Sequence, residues 1–388
     1  MLPIESAISI FLIVSNSVLH IFSLYCIISE VKYADRLKDM QMHRFDYLFL
    51  EQELLPAGLV GTAEAIGSLK ARAAERKNAN RAVLSSLEHI ARVQSVKGSN
   101  ALEGIITTDK RIEAIVNQNS SPLNHNESEI AGYRDALALV HEGHLTMDLR
   151  ETDIQHLHEV MLSYTPEPGG RFKNGDNAII ETRSDGSRAL RFEPVSATET
   201  PEAMNQLVLA YRQAVSSYSV NRILLIPCVV LDFLCIHPFW DGNGRISRLL
   251  SLLLLYKSGF DVGKYVSFEQ QVNQTRDAYY DALLECSQGW HDNTNSYLRF
   301  IQYFATTLLA CYKELDKRFV TVATGRGAKG QRIEQAVLSS LLPISKQEIA
   351  AVLPDVSVTT IEAVLGKLVR EGHIQKTGSG PATRYIRL

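Results

Sequence analysis

The chain has 388 residues, with 40 Lys and Arg against 43 Asp and Glu and a formal net charge of −3. That length predicts two or three units, and an apolar share of 45% supports substantial cores. The near-balance of charge excludes a global attraction to nucleic acid or to an anionic membrane. Five scattered cysteines, Cys26, Cys228, Cys235, Cys286 and Cys311, exclude a disulfide frame or a zinc cluster and read as buried thiols in a reducing, cytoplasmic compartment.

Residues 1–40 stand apart as an apolar N-terminal segment. Residues 7–29 carry no charge and are long enough to span a bilayer, although Ser9, Ser15, Asn16, Ser17, His20 and Ser23 dilute them. No basic stretch precedes them, which argues against a secretory signal. Lys32, Arg36 and Lys38 follow, which would leave the rest of the chain in the cytoplasm. Three readings compete: a single-pass anchor, a helix buried by the fold or a partner, and a stretch upstream of a true start at Met40 or Met42. The third is preferred.

Residues 41–128 read as a helical region. Residues 69–76 are amphipathic, and 83–96 place Leu84, Leu87, Ile90 and Val93 at helical spacing. This run ends near Ser99-Asn100-Ala101-Leu102-Glu103-Gly104, by itself a helix closed by a C-terminal glycine. Ser120, Ser121 and Pro122 mark a loop. Another helix covers 130–145, and Thr152-Asp153 is the expected N-cap of one reaching Leu162. Residues 166–170 form a turn. Residues 177–182 and 188–192 then flank Ser184-Asp185-Gly186-Ser187, a hairpin signal.

The most informative stretch follows. An apolar run, 224–236, leads into His237-Pro238-Phe239-Trp240-Asp241-Gly242-Asn243-Gly244-Arg245, and a second, 246–256, contains Arg248. This predicts helix, loop, helix. Pro238 disfavours helix at His237, and Gly242 and Gly244 admit backbone angles that other residues resist. N–H groups in such a turn, at the start of a helix near 243–245, form an anion nest. Arg245 and Arg248 are three apart, so both are expected to reach one anion. Asp241 suits Mg²⁺ shared with phosphate oxygens. His237 titrates near neutrality and can take a proton from a hydroxyl. The set reads as a phosphoryl- or nucleotidyl-transfer site; the bland alternative is a glycine turn between two core helices.

Residues 269–284 are expected to form one helix holding Arg276, Tyr279 and Tyr280, and 297–312 another. Gly325, Gly327 and Gly330 mark 320–330 as a linker. Helices are expected at 331–342, 346–353 and 358–371, with Ser345 and Ser357 as N-caps and Gly372 closing the third. A short hairpin follows over 373–388. This pattern in 331–388 resembles a winged helix-turn-helix domain. Residues 321–388 hold nine Lys and Arg against five Asp and Glu. That modest excess is compatible with DNA contact through Lys376, Arg384 and Arg387. The alternative is a protein-docking module or a homodimer contact.

The run 237–248 matches the signature of the Fic (Fido) family, H-P-F-x-[D/E]-G-N-G-R-x-x-R, at every position, and the resemblance extends over about 43–317. It implies a mainly α fold, a Fic-type helical bundle with a β-hairpin flap, whose catalytic core would span 129–319 and whose flap would span 174–194. It also implies transfer of AMP from ATP to a Ser, Thr or Tyr hydroxyl of a target protein, with release of pyrophosphate. His237 would be the base and Asp241 the Mg²⁺ ligand. Phe239 would anchor the loop in the core. Gly242, Asn243 and Gly244 would bind phosphates, and Arg245 and Arg248 would hold the β/γ end. Tyr279 or Tyr280 would border the adenine, although a tyrosine at helical spacing is more often core. The flap would pair with an extended target segment by strand addition. Where relatives often carry Trp, this chain has Tyr297.

The resemblance also gives Ser99, Glu103 and Gly104 a meaning, because they fit the family's inhibitory pattern [S/T]-x-x-x-E-[G/N]. A Glu103 carboxylate on Arg248 would remove the cation that should hold the γ-phosphate. Two other functions remain open at this level. The same site could remove AMP or transfer another phosphate-linked group, or the protein could be a nucleotide-sensing DNA-binding regulator. An intact His237 and Asp241 disfavour the regulator.

Overall fold

Helices dominate the computed structural model, which describes residues 43–52, 55–79, 81–182, 188–217, 219–323, 329–338, 340, 343–353 and 356–387. In the N-terminal half lie α1 (Ala57–Ala79), α2 (Arg81–Leu102), α3 (Asp109–Gln118), α4 (His125–Gly143) and α5 (Glu151–Leu162). Leu59, Ile66, Leu69 and Ala73 form a buried stripe on α1 that packs on the long helix α11 (Leu298–Ala323). Arg76 adds an ion pair to Asp316 at 2.6 Å. Where α4 crosses α5, a side chain at Gly132 would bring its Cβ to 1.9 Å from the Met161 carbonyl oxygen. Only glycine permits that approach.

An antiparallel pair follows, β1 (Ile179–Thr182) and β2 (Arg188–Phe192), with Ile180 opposite Leu190 and an irregularity between Ile179 and Ile180. Next come α6 (Thr200–Ser216), α7 (Arg222–Ile236) and α8 (Asn243–Lys257). Helices α7 and α8 are buried along nearly their whole length, as befits sequences that are apolar on almost every face. They pair with each other at the centre of the stack. Then come α9 (Phe268–Gln274), α10 (Arg276–Ser287) and α11.

The C-terminal helices α12 (Lys329–Leu338), α13 (Lys346–Val352) and α14 (Val358–Arg370) precede β3 (Ile374–Thr377) and β4 (Arg384–Arg387). They share an apolar cluster that includes Val337, Ile349, Leu353, Ile361 and Leu365. Truncating one of these to Ala would cost about 2–5 kcal/mol. Ser345 and Ser357 cap α13 and α14 as expected; Ser345 and Glu348 close a reciprocal capping box. Gly372 ends α14 with φ +74°.

His43 and Arg44 form a separate small unit with the turn Gly289–Asn295. There His43 stacks on Trp290 at 4.0 Å, and the Arg44 N–H donates to Asn293 at 2.6 Å.

Several elements differ from the sequence reading. The N-cap of α5 is Arg150, not Thr152-Asp153; Asp153 lies in the first turn and accepts from the Asp148 N–H and the Arg150 Nε. The helix expected over 269–284 breaks at Thr275, whose hydroxyl bonds back to the Gln271 carbonyl. Helix α6 was not anticipated, although Ala203, Leu207, Ala210, Tyr211 and Ala214 are all buried. Helix α11 runs to Ala323, into the expected linker.

The hairpin turn at 184–187, linker residues 324–328 and all of 1–42, with the anchor candidate 7–29 and Cys26, lie outside the described residues. Among the described residues no helix is long and apolar enough to cross a membrane. Cys228, Cys235, Cys286 and Cys311 are buried.

Candidate active site

Helix α7 stops at Ile236. His237 takes left-handed angles, φ +51° and ψ +59°, and its N–H closes on the Phe233 carbonyl at 3.0 Å. A non-glycine residue in that region stores about 1–3 kcal/mol of strain, so its surroundings must hold it. The ring's Nδ1 lies 3.2 Å from the Leu234 carbonyl. A carbonyl only accepts, so Nδ1 carries the proton and Nε2 is left with its lone pair. Burial pushes the imidazole pKa down to about 4; the nearby Lys173 charge acts the same way, against Glu103 and Asp241. The ring is neutral at pH 7.

The loop after it is packed and tied. Phe239 is fully buried and stacks on His158 at 3.8 Å and 7°. His158 Nδ1 accepts from the Gly170 N–H at 3.0 Å, so its Nε2–H donates to the Asp241 carbonyl at 3.1 Å. Burial holds its pKa near 4 as well. The Asn243 side chain does not face an open cup. Its Oδ1 accepts from the Phe239 N–H at 2.9 Å, and its Nδ2 donates to the Phe239 carbonyl at 2.7 Å. Both ends of the amide are thereby committed to the loop, so the expected phosphate contact can come only from the backbone of Asn243 at the start of α8.

The two glycines play different parts. Gly242 has φ +78°, as the turn requires. Gly244 is helical, contrary to the expected turn role. A Cβ there would lie 2.3 Å from a Glu103 carboxylate oxygen, so its value is close approach.

Arg245 and Arg248 diverge, against the expectation that they converge on one anion. The Arg245 side chain is buried between Glu129, at 2.6 Å, and Asp241, at 3.0 Å. A carboxylate on α4 captures it and turns it from the cavity. Arg248 faces the cavity. Its Nε donates to the Ser99 hydroxyl at 2.8 Å, and its Nη2 donates to the Ser99 carbonyl at 2.9 Å and to Glu103 at 2.7 Å. Gly104, with φ +76°, ends the turn that presents Glu103.

The cavity has a volume of about 740 Å³. Glu103, His237, Gly244 and Arg248 line it, as do Ile179, Ile180, Arg191 and Phe192 of the hairpin and Arg276, Asp277, Tyr279 and Tyr280 of α10. Tyr279 belongs to an aromatic cluster with Tyr280, Phe300 and Tyr303. Tyr280 is half-exposed. Its hydroxyl donates to the Leu102 carbonyl at 3.1 Å, and the guanidiniums of Arg191 and Arg276 lie over its ring. Asp241 sits at the loop's outer edge with its side chain 71% exposed.

The sequence reading brought His237, Gly244, Glu103, Arg248, Tyr279 and Tyr280 to one place, with Ser99 directly behind Arg248. It missed His158, Glu129, Arg191, Lys173 and Asn177. The last two fall in a polar run, Lys173-Asn174-Gly175-Asp176-Asn177, which was the available signal.

Residues 148–255 match the model of the Fic/DOC family. A curated protein, "Protein adenylyltransferase Fic" of Nematostella vectensis, is 26% identical over 223 residues; the match covers 54% of this chain and 45% of that protein. The chain thus spans under half the length of that relative. A Fic family protein from Desulfovibrio desulfuricans superimposes with a TM-score of 0.56 at 18% identity, over 87% of this chain and 97% of its own. A Fic domain-containing signalling protein from Bacteroides thetaiotaomicron gives 0.57 at 19%, over 68% and 100%. These likenesses show the same mainly helical fold with small antiparallel sheets.

Proposed function

From the Fic/DOC family domain that the chain carries over 148–255, we propose that the protein is a protein adenylyltransferase held in check by its own Glu103. The observation that carries this reading is the shared cavity. His237, whose Nδ1 is engaged by the Leu234 carbonyl, Gly244 at the N-terminus of α8, and Arg248 all line it.

In this mechanism the triphosphate lies along the start of α8, where backbone N–H groups of 242–245 and the helix dipole favour anions. Tyr280 and Tyr279 border the nucleoside end. A target hydroxyl gives its proton to His237 Nε2 as its oxygen attacks the α-phosphorus. The bond to the bridging oxygen breaks, and pyrophosphate leaves with the electron pair. The phosphate charge raises the basicity of a ring that burial alone keeps low. The hairpin β1–β2 presents an edge to which an extended target segment can pair, fixing the hydroxyl in line.

Asp241 fits Mg²⁺: it is a single, solvent-facing carboxylate beside the phosphate cup, and water and phosphate oxygens would complete the shell. The metal, when bound, neutralises phosphate charge. Arg245 orients Asp241 rather than touching nucleotide.

Glu103 supplies the brake. While it occupies Arg248, the γ-phosphate lacks that cation and the triphosphate is turned from in-line geometry. A second reading has one observation in its favour: the Glu103 carboxylate itself lines the cavity, so it could orient a water that removes AMP from a modified protein. We read 331–388 as a winged helix-turn-helix module in which Arg384, one of the cations expected to contact DNA, is instead paired with Glu348 at 3.1 Å.

The test is mass spectrometry after incubation with ATP and Mg²⁺. Glu103→Gly should gain AMP on itself or on an added target, the wild type far less, and Glu103→Gly with His237→Ala none. Equal incorporation by all three would contradict the proposal. Loss of AMP from a pre-modified protein, dependent on Glu103, would favour the second reading.

A further inference from the structure

Four consecutive carbonyls, from Ile236 to Phe239, surround the strained His237, and all four are bonded from a single segment outside the loop. The Lys173 Nζ donates to the Ile236 carbonyl at 3.2 Å, and the Lys173 backbone N–H donates to the Pro238 carbonyl at 2.8 Å. The Asn177 amide reaches the two that remain, with Nδ2 3.0 Å from the Phe239 carbonyl and 3.5 Å from that of His237. Lys173 and Asn177 also bond each other at 2.8 Å, which orients the amide so that its donors face the loop. Lys173 is 4% exposed. A cation on so buried a stem is costly unless its donors are used, and here they are used on the backbone of His237's neighbours. Neither side chain is among those lining the cavity.

We infer that Lys173 and Asn177 are positioning residues: together they clamp residues 236–239 so that His237 is held in its left-handed conformation with Nε2 turned into the cavity. The inference rests on the reading of His237 as the base for its catalytic meaning, but its structural content is independent of that reading. Aiming the base in this way matters because misplacement by about 1 Å can cost on the order of 100-fold in rate. The clamp lies in the segment that leads into β1, so the hairpin and the base share one support. The charged groups acting on the His237 ring are Lys173, which disfavours its protonation, and Glu103 and Asp241, which favour it.

The test uses the full chain with isotope-labelled histidine, and the His237 resonance is assigned by its loss in His237→Ala. Lys173→Met should raise the midpoint of the His237 titration, and Lys173→Arg should restore it. Asn177→Ala should mix the two ring tautomers, where the wild type holds the proton on Nδ1. In the Glu103→Gly background, Asn177→Ala should lower kcat by roughly 10–100-fold with little change in KM for ATP. If Lys173→Met does not fold, the half-buried Asn177→Ala carries the test. An unchanged midpoint and tautomer in the folded variants would overturn the clamp. If the ring responds as expected while Glu103→Gly transfers no AMP, the clamp stands and the adenylyltransferase reading falls.

Discussion

Arg245 and Arg248 sit one helical turn apart on α8, yet one is locked and the other releasable. Arg245 is enclosed by Glu129, only 9% exposed, and by Asp241 of its own loop. Arg248 meets Glu103, which belongs to a distant corner at the end of α2 and is 33% exposed. A carboxylate in contact with water can leave its partner and be rehydrated; one sealed at the centre of a helical stack cannot without large cost. The difference teaches that the same residue type in one motif is sealed into the structure at one position and, in the proposed function, is left to serve control at the other.

The largest expected effect separates chemistry from binding. His237→Ala in the Glu103→Gly background should abolish AMP transfer, a loss of at least about 100-fold, while calorimetry still detects ATP binding. Retained transfer would remove His237 from the base role. Next is the locked arginine. Arg245→Met leaves Glu129 buried without its cation and should cost about 3–5 kcal/mol of stability, seen as a large fall in Tm. Arg248→Met should cost clearly less, because Glu103 can turn to solvent. Equal losses would erase the distinction between the two arginines.

Smaller is the effect of loosening the proposed brake from behind. Ser99→Ala removes the hydroxyl that accepts from Arg248 Nε. It should cost about 1 kcal/mol and raise basal AMP incorporation only modestly, below that of Glu103→Gly. Separate from these substitutions is the dependence on pH. Burial lowers the folded-state pKa of His141 to about 3 and those of His158 and His237 to about 4, all below the ordinary value of 6.5. The unfolded chain therefore binds protons that the folded one refuses. Stability should be full above pH 6.5 and decline as pH falls toward 4 and below. A Tm that is flat from pH 7 to 4.5 would contradict those depressed values.

Much of the site was legible because its chemistry is dense in sequence. The segment 237–248 specifies a helix stop, a glycine turn and a helix start, and all three are local. The pairing on Arg248 was legible for another reason: Glu103 stands four residues after Ser99 at the end of a helix, so both fall on one side and can grip one guanidinium. What stayed hidden depends on contacts across the fold. Nothing near Arg245 in sequence announces Glu129, more than a hundred residues earlier. The Asn243 amide is expected to hold phosphate only through the Fic resemblance, whereas the tertiary turn folds it back on Phe239. His158 carries no motif; its stacking on Phe239 and its bond to the Asp241 carbonyl reveal its part. Tyr297, a departure without evident consequence in the sequence, donates to the fully buried Asp232 at 2.9 Å, and Tyr47 donates to the same carboxylate at 2.7 Å.

The most direct measurement is a crystal structure of the Glu103→Gly variant with a non-hydrolysable ATP analogue and magnesium. The γ-phosphate should rest on the Arg248 guanidinium and the triphosphate on the N–H groups of 242–245, with His237 Nε2 turned toward the α-phosphorus. A nucleotide bound elsewhere, or an Arg248 that stays on Ser99 and ignores the phosphates, would contradict the proposed roles of both His237 and Glu103.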